Sequence, residues 1–173
     1  MGASLAATKA VTYKTLGTDL AVTHHTGAPA NIPLEVADTW GSVDLSVVPG
    51  GRGGLRLTTS GPICDLGVVG GRGNLAQALI LRLVTPKGSL AGLGHPDYGS
   101  RLIELIGSGN TDNARNLARL FTLEALKQEP RIAQILDLAV QTAEGQPDTV
   151  RIGFSVVPVN DDDPIGLALE VQL

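Results

Sequence analysis

The apolar residues change period after Arg131, and this change constrains the fold more than any other feature of the sequence. Val150, Ile152, Phe154 and Val156 alternate with polar or small neighbours, as do Ile165, Leu167, Leu169, Val171 and Leu173. Period two gives a strand one apolar face. Ile132, Leu136, Leu138 and Val140 are assigned to one face of a preceding strand. Turn-forming residues fill 144–148 and 160–164, so the three runs predict an antiparallel meander.

Upstream the spacing is helical. Asn74 is expected to cap a helix carrying Leu75, Leu79 and Leu83, which Pro86 ends. Ser100 opens a short helix with Leu102, Ile103 and Ile106, stopped at Gly107. Thr111 caps the longest helix, whose stripe is Ala114, Leu117, Ala118, Phe121 and Ala125, and Pro130 follows its end. Before residue 60 the chain is rich in Gly, Thr and Val. Val43, Leu45 and Val47, then Leu55 and Leu57 beyond a turn at 49–54, predict a hairpin or two loosely joined strands. The expected fold is α+β: a helical middle packed on a C-terminal antiparallel β-meander (61–173), with an N-terminal β-rich extension (1–60).

Composition narrows the function. With 173 residues, 43% hydrophobic but only 3% aromatic, the core must be aliphatic and base stacking has few rings to use. A net charge of −4 offers no field for a phosphate backbone, so no nucleic-acid partner is expected. Cys64 is the single cysteine, which excludes an internal disulfide and a multi-thiolate zinc site. No apolar run approaches the ~20 residues of a membrane span, and residues 1–9 lack a signal-peptide core. Cytoplasmic synthesis and no membrane partner are the expectation.

Candidate chemistry is sparse. Gly71-Arg72-Gly73-Asn74-Leu75-Ala76 fits G-x-G-x-x-A, which would cradle a nucleotide phosphate on a helix N-terminus. No second apolar strand follows to complete a βαβ unit, and a tight glycine turn explains the same residues. His24 and His25 are adjacent and point apart in a strand. His95 and Asp97 flank Pro96 in a loop turn, and Asp161 to Asp163 lack the other oxygen ligands of a calcium loop. Glu104 and Glu124 are the carboxylates that a glycosidase reading would pair. Cys64 has no nearby histidine to activate it. Glu129 and Arg131 flank Pro130 at a corner between helix and strand. They either offer fixed charges to a partner or form a local ion pair that stiffens the turn.

Glu129-Pro130-Arg131-Ile132 resembles the Glu-Pro-Arg motif of the gene-product-25-like sheath initiators, baseplate subunits of contractile phage tails, type VI secretion systems and contractile injection systems. Asn74 to Leu79, Thr85-Pro86-Lys87-Gly88, the segment His95-Pro96-Asp97-Tyr98-Gly99-Ser100 and Leu123 to Leu126 resemble other segments of that family, in the same order. The resemblance spans about 65–157. It implies a structural subunit without cofactor rather than an enzyme. It implies that Glu129, Pro130 and Arg131 dock on the baseplate wedge proteins and that the terminal strands pair with the sheath protein, near the inner tube or hub protein. The chain would then end up in a tail or injection-particle baseplate.

The terminal strand, with Ile165, Leu167, Leu169 and Val171 on its core face, contains no Lys and no Pro and has only Glu170 charged. Such a strand is expected to be an open edge that templates the sheath. The rival is that residues 1–60 fold back over this edge, through Val43–Val47 or Leu55–Leu57. The functional alternatives are a nucleotide-binding protein using Gly71 and Gly73, and a lysozyme-like cell-wall glycosidase.

Overall fold

The computed structural model describes residues 16–24, 36–37, 43–45, 47–49, 55–56 and 63–173, with side chains at 16–22 and 66–173. Among the described residues, eight short strands precede the first of the two helices: β1 (Thr18–Leu20), β2 (Val22–His24), β3 (Val36–Ala37), β4 (Val43–Leu45), β5 (Val47–Pro49), β6 (Leu55–Arg56), β7 (Ile63–Leu66) and β8 (Val68–Gly70). Helix α1 (Arg72–Val84), two 3-10 turns (Ala91–Leu93 and Leu102–Leu105) and helix α2 (Asp112–Lys127) follow, then β9 (Ile132–Ala143), β10 (Gln146–Pro158) and β11 (Ile165–Gln172). The fold is α+β. Strands β9, β10 and β11 form the antiparallel meander, and β3 adds to β11 in parallel, giving the order β3-β11-β10-β9.

The alternating residues of the last two strands are the sheet side of the core. Val150, Ile152, Phe154 and Val156 are buried, as are Ile165, Leu167, Leu169 and Val171. Helix α1 covers them with Leu75, Leu79, Ile80 and Leu83, and α2 with Ala114, Ala118, Phe121, Ala125 and Leu126. Each Val, Leu, Ile or Phe side chain buried this way contributes about 1.5–3 kcal/mol relative to exposure. Thr111 caps α2, its hydroxyl accepting from the Ala114 N–H at 3.1 Å.

Three expectations are corrected. On β9, Leu136 does not share the core face with Leu138 and Val140; it is 51% exposed. The pairing steps from Asp137–Ser155 to Ile135–Val156, so Leu136 is the extra residue of a bulge and Ile135 takes the inward place. Ile103 and Ile106 are exposed because Leu102–Leu105 is a 3-10 turn, whose period of three buries Leu102 and Leu105 instead. Asn74 is not a cap. Gly71, at φ 61°, starts α1, while the buried Asn74 amide donates to Leu16 O at 2.9 Å. Of the two readings of 43–57, a hairpin or two loosely joined strands, the hairpin is not seen among the described residues: β4 pairs with β2, and β7 lies between β5 and β6. The turn expected at 49–54 and Leu57 fall outside the described residues, apart from Pro49 in β5.

The N-terminal strands are held to α1 by polar groups. Gln77, buried, accepts from Val22 N at 3.0 Å and donates to Leu20 O at 2.8 Å. Strand β1 pairs antiparallel with β8, and β7 pairs across position 60 with β5 and β6.

The Thr-Pro-Lys-Gly turn and the His95–Ser100 loop form one structure. Ser100 N donates to Thr85 O at 2.8 Å, Lys87 N to Ser100 O at 2.8 Å and Gly88 N to Tyr98 O at 3.1 Å. Ser100 Oγ donates to Leu83 O at 2.6 Å. Gly99 makes this approach possible: at φ +103°, an added Cβ would lie 2.5 Å from Thr85 O and 2.7 Å from Pro86 O. Gly99→Ala should therefore destabilise the fold by about 1–3 kcal/mol. A urea melt reads this as a lower midpoint at unchanged slope, and an unchanged midpoint would contradict the tight approach.

Candidate functional site

Three separated segments converge where α1 ends, the loop returns and α2 gives way to β9. From α1, the buried Arg82 donates from Nη2 to Glu129 Oε2 at 3.3 Å. Its guanidinium carbon lies 4.5 Å from the centre of the Tyr98 ring, a cation–π arrangement. Glu129 is only 5% exposed. It accepts from Arg131 twice, Nε to Oε1 at 2.6 Å and Nη2 to Oε2 at 3.1 Å. Arg131 N also donates to Glu129 Oε1 at 3.3 Å, and Arg131 Nη1 donates to Leu16 O at 3.1 Å.

This geometry is that of the local ion pair which stiffens the turn, the second of the two readings of the corner. Glu129 is an internal brace between two arginines, Pro130 is exposed at the bend and Arg131 keeps 26% of its side chain exposed. Burial pushes the Glu129 carboxyl up, but the Arg131 hydrogen bonds and the charges of Arg131 and Arg82 outweigh it and hold the group below its ordinary range. Burial raises the Tyr98 hydroxyl and Arg82 opposes it, the net shift being upward. A depressed carboxyl pKa gives stability that is complete above the ordinary value of 4.5 and fades as pH falls through the lower folded value. The stability gap between wild type and Glu129→Gln should thus be constant from pH 7 to about pH 5 and narrow toward pH 3, as read by thermal melts. A gap that widens on acidification would contradict the assignment.

The corner opens onto β9, whose only strand partner among the described residues is β10. A groove of about 610 Å³ runs beside it, lined among others by Arg119, Leu123, Lys127, Ile132, Ile135 and Leu136. β9 carries a single charge, Asp137, and no Lys or Pro. The opposite edge is different. The side chains of Ile165, Leu167, Leu169 and Val171 lie in the core, and β3 pairs with β11 at Ala168 and Leu169. The terminal strand is therefore paired on this side at two of its eight residues, Ala168 and Leu169. The segment that covers it is Val36–Ala37 rather than Val43–Val47 or Leu55–Leu57.

The other candidates are placed apart. Gly71 N donates to Gly17 O, and β8 is antiparallel to β1 rather than part of a βαβ unit. Arg72 is turned to the acidic turn, reaching Asp161 Oδ2, Asp163 O and Pro164 O, each at 2.7 Å. The Arg101 hydrogen bonds, at 2.9 and 2.8 Å, hold the exposed Glu104 carboxyl below its usual range. A glycosidase acid needs the opposite shift. His95 and Asp97 are both exposed on the loop that carries Tyr98. His24 lies in β2, Cys64 in β7, and His25 is outside the described residues. Among the described residues, no group of three or more His, Cys, Asp or Glu could hold a metal, and no helix is long and apolar enough to cross a membrane. Arg82 was not singled out in the sequence, although its place one turn before Thr85-Pro86 put it within reach of that turn.

No protein-family model matches the chain, and no curated protein matches it. Among solved structures, it is similar to a Geobacter sulfurreducens protein that carries a provisional description as a tail lysozyme. The TM-score is 0.49 and the identity 20%, over 56% of this chain and 86% of the other.

Proposed function

We propose that the chain is a structural baseplate subunit of a contractile tail-like particle, not an enzyme. It joins the wedge proteins through the Glu129–Pro130–Arg131 corner and starts the sheath by strand pairing. The observation that supports this best is the convergence of three of the segments that resemble the sheath initiators. Thr85–Gly88 pairs with the His95–Ser100 loop, and that loop lays Tyr98 over Arg82, which holds Glu129. In this arrangement Glu129 sets the corner and Arg131 faces the partner.

The templating edge is assigned to β9 rather than β11. Backbone N–H and C=O groups along an edge strand give a partner strand its register, and pockets beside it take alternate side chains. The groove between α2 and β9 is such a pocket. The sheath protein is the proposed occupant of this edge, and the inner tube or hub protein a proposed neighbour.

The test uses the purified full chain with the wedge and sheath proteins of a contractile particle from the same source. It should copurify with the wedge proteins, and the resulting complex should seed sheath polymerisation without a lag. The same preparation should leave cell-wall substrate uncleared and its melting temperature unmoved by nucleotides. Clearing that is lost in Glu104→Gln or Glu124→Gln would overturn the structural reading in favour of a glycosidase.

A further inference from the structure

The corner contains a second recognition element, a cleft between the loop and the end of α2. Its volume is about 500 Å³ and its walls are Arg82, Gly94, His95, Pro96, Asp97, Tyr98 and Gln128. Arg82 lies at its floor, 9% exposed. Its guanidinium has five N–H donors, yet its one hydrogen bond is that from Nη2 to Glu129. Nε is fully enclosed and has no hydrogen-bond partner. Leaving a buried charged donor unmatched is costly in a folded chain.

Two guanidiniums, Arg82 and Arg131, share the buried carboxylate of Glu129, while the exposed Asp19 acts on Arg131 and Tyr98. Asp97 stands exposed at the rim, in water, where its repulsion of an incoming anion is screened. The deeper Arg82 charge is screened much less. The exposed Gln128 side chain stands at the cleft wall and makes no hydrogen bond, so its amide is free to donate.

We infer that this cleft receives an acidic side chain of a partner protein, its carboxylate taken by the Arg82 guanidinium and the Gln128 amide against the Tyr98 ring. With Nε enclosed and Nη2 on Glu129, Nη1 is the donor left for the incoming group, and the guanidinium charge suits a carboxylate better than a neutral carbonyl. The inference rests on the docking reading of the corner and adds to it the chemistry of the incoming residue.

The test is a titration of the isotope-labelled full chain followed at the Arg82 Nε–H resonance. The probe is the blocked peptide acetyl-Gly-Glu-Gly-amide, with acetyl-Gly-Gln-Gly-amide and inorganic phosphate as controls. The glutamate peptide should shift the resonance saturably, and the glutamine peptide should bind at least fivefold more weakly. Gln128→Ala, a change at an exposed position, should weaken the glutamate peptide about threefold while the protein stays folded. A non-saturating response, equal response to the glutamine peptide, or an equal or stronger response to phosphate would overturn the site. So would an unchanged affinity in Gln128→Ala. The titration needs no tail protein, so a negative result here leaves the baseplate proposal standing, and failed wedge binding with a positive titration leaves this site standing.

Discussion

Glu129→Ala should destabilise the fold by about 3 kcal/mol, while Arg131→Ala should cost only about 1 kcal/mol. Removing one member of a buried ion pair costs roughly 3–5 kcal/mol, because the other charge is left without compensation. Here Glu129 serves two arginines, so its loss strands both. Arg82 has little access to water, with 11% of its side chain exposed, whereas Arg131 keeps 26%, which places the estimate at the low end of that range. Arg131→Ala leaves Glu129 with Arg82 and removes an interaction that water partly replaces. Urea melts of the two variants measure the difference directly. The asymmetry also separates folding from docking. Arg131→Ala should yield folded protein that no longer copurifies with the wedge, because truncating one partner of a buried, hydrogen-bonded charge pair at an interface costs about 2–5 kcal/mol of binding. Equal destabilisation by both substitutions would contradict the brace-and-contact division.

Leu136→Lys should abolish sheath initiation and leave stability within about 0.5 kcal/mol of wild type. Leu136 bulges out of β9 and is half exposed, so a lysine there can keep its amine in water and its stem on the groove. Edge lysines are a common means of preventing strand addition, since pairing would bury the charge. An unpaired charge at the partner interface would cost several kcal/mol. A penalty of ~2.8 kcal/mol already corresponds to a hundredfold loss of affinity. The readout is the number of sheathed particles seeded per wedge complex, with a thermal melt as the stability control. Normal seeding by a folded Leu136→Lys protein would move the templating edge away from β9.

The sequence revealed the elements better than their meeting points. Period-two runs identified the faces of β10 and β11 because their pairing has no bulge from Val150 to Val156, so alternation survives intact. In β9 the bulge at Leu136 breaks the alternation, and nothing in the composition of that run announces it. The cap of α2 was legible because a threonine bonding the N–H three residues on is a local event. Asn74 was misassigned for the complementary reason. Its bond partner, the carbonyl of Leu16, is 58 residues away and chemically identical to every other carbonyl. The same limit hid Gln77 and the contact of Arg131 with Leu16. The Glu-Pro-Arg corner was visible as a motif, but burial of Glu129 depends on Arg82, 47 residues upstream. The cover on β11 is a two-residue strand, Val36–Ala37, too short to leave a periodic signal.

The most direct test of the baseplate proposal is to delete this chain from cells that make the particle and to count sheathed and bare tubes by electron microscopy. Without it, inner tubes and wedge complexes should form but extended sheaths should be absent. Wild-type chain supplied in trans should restore them, and the Leu136→Lys chain should not. Sheaths of normal number and length in the deletion strain would contradict the account.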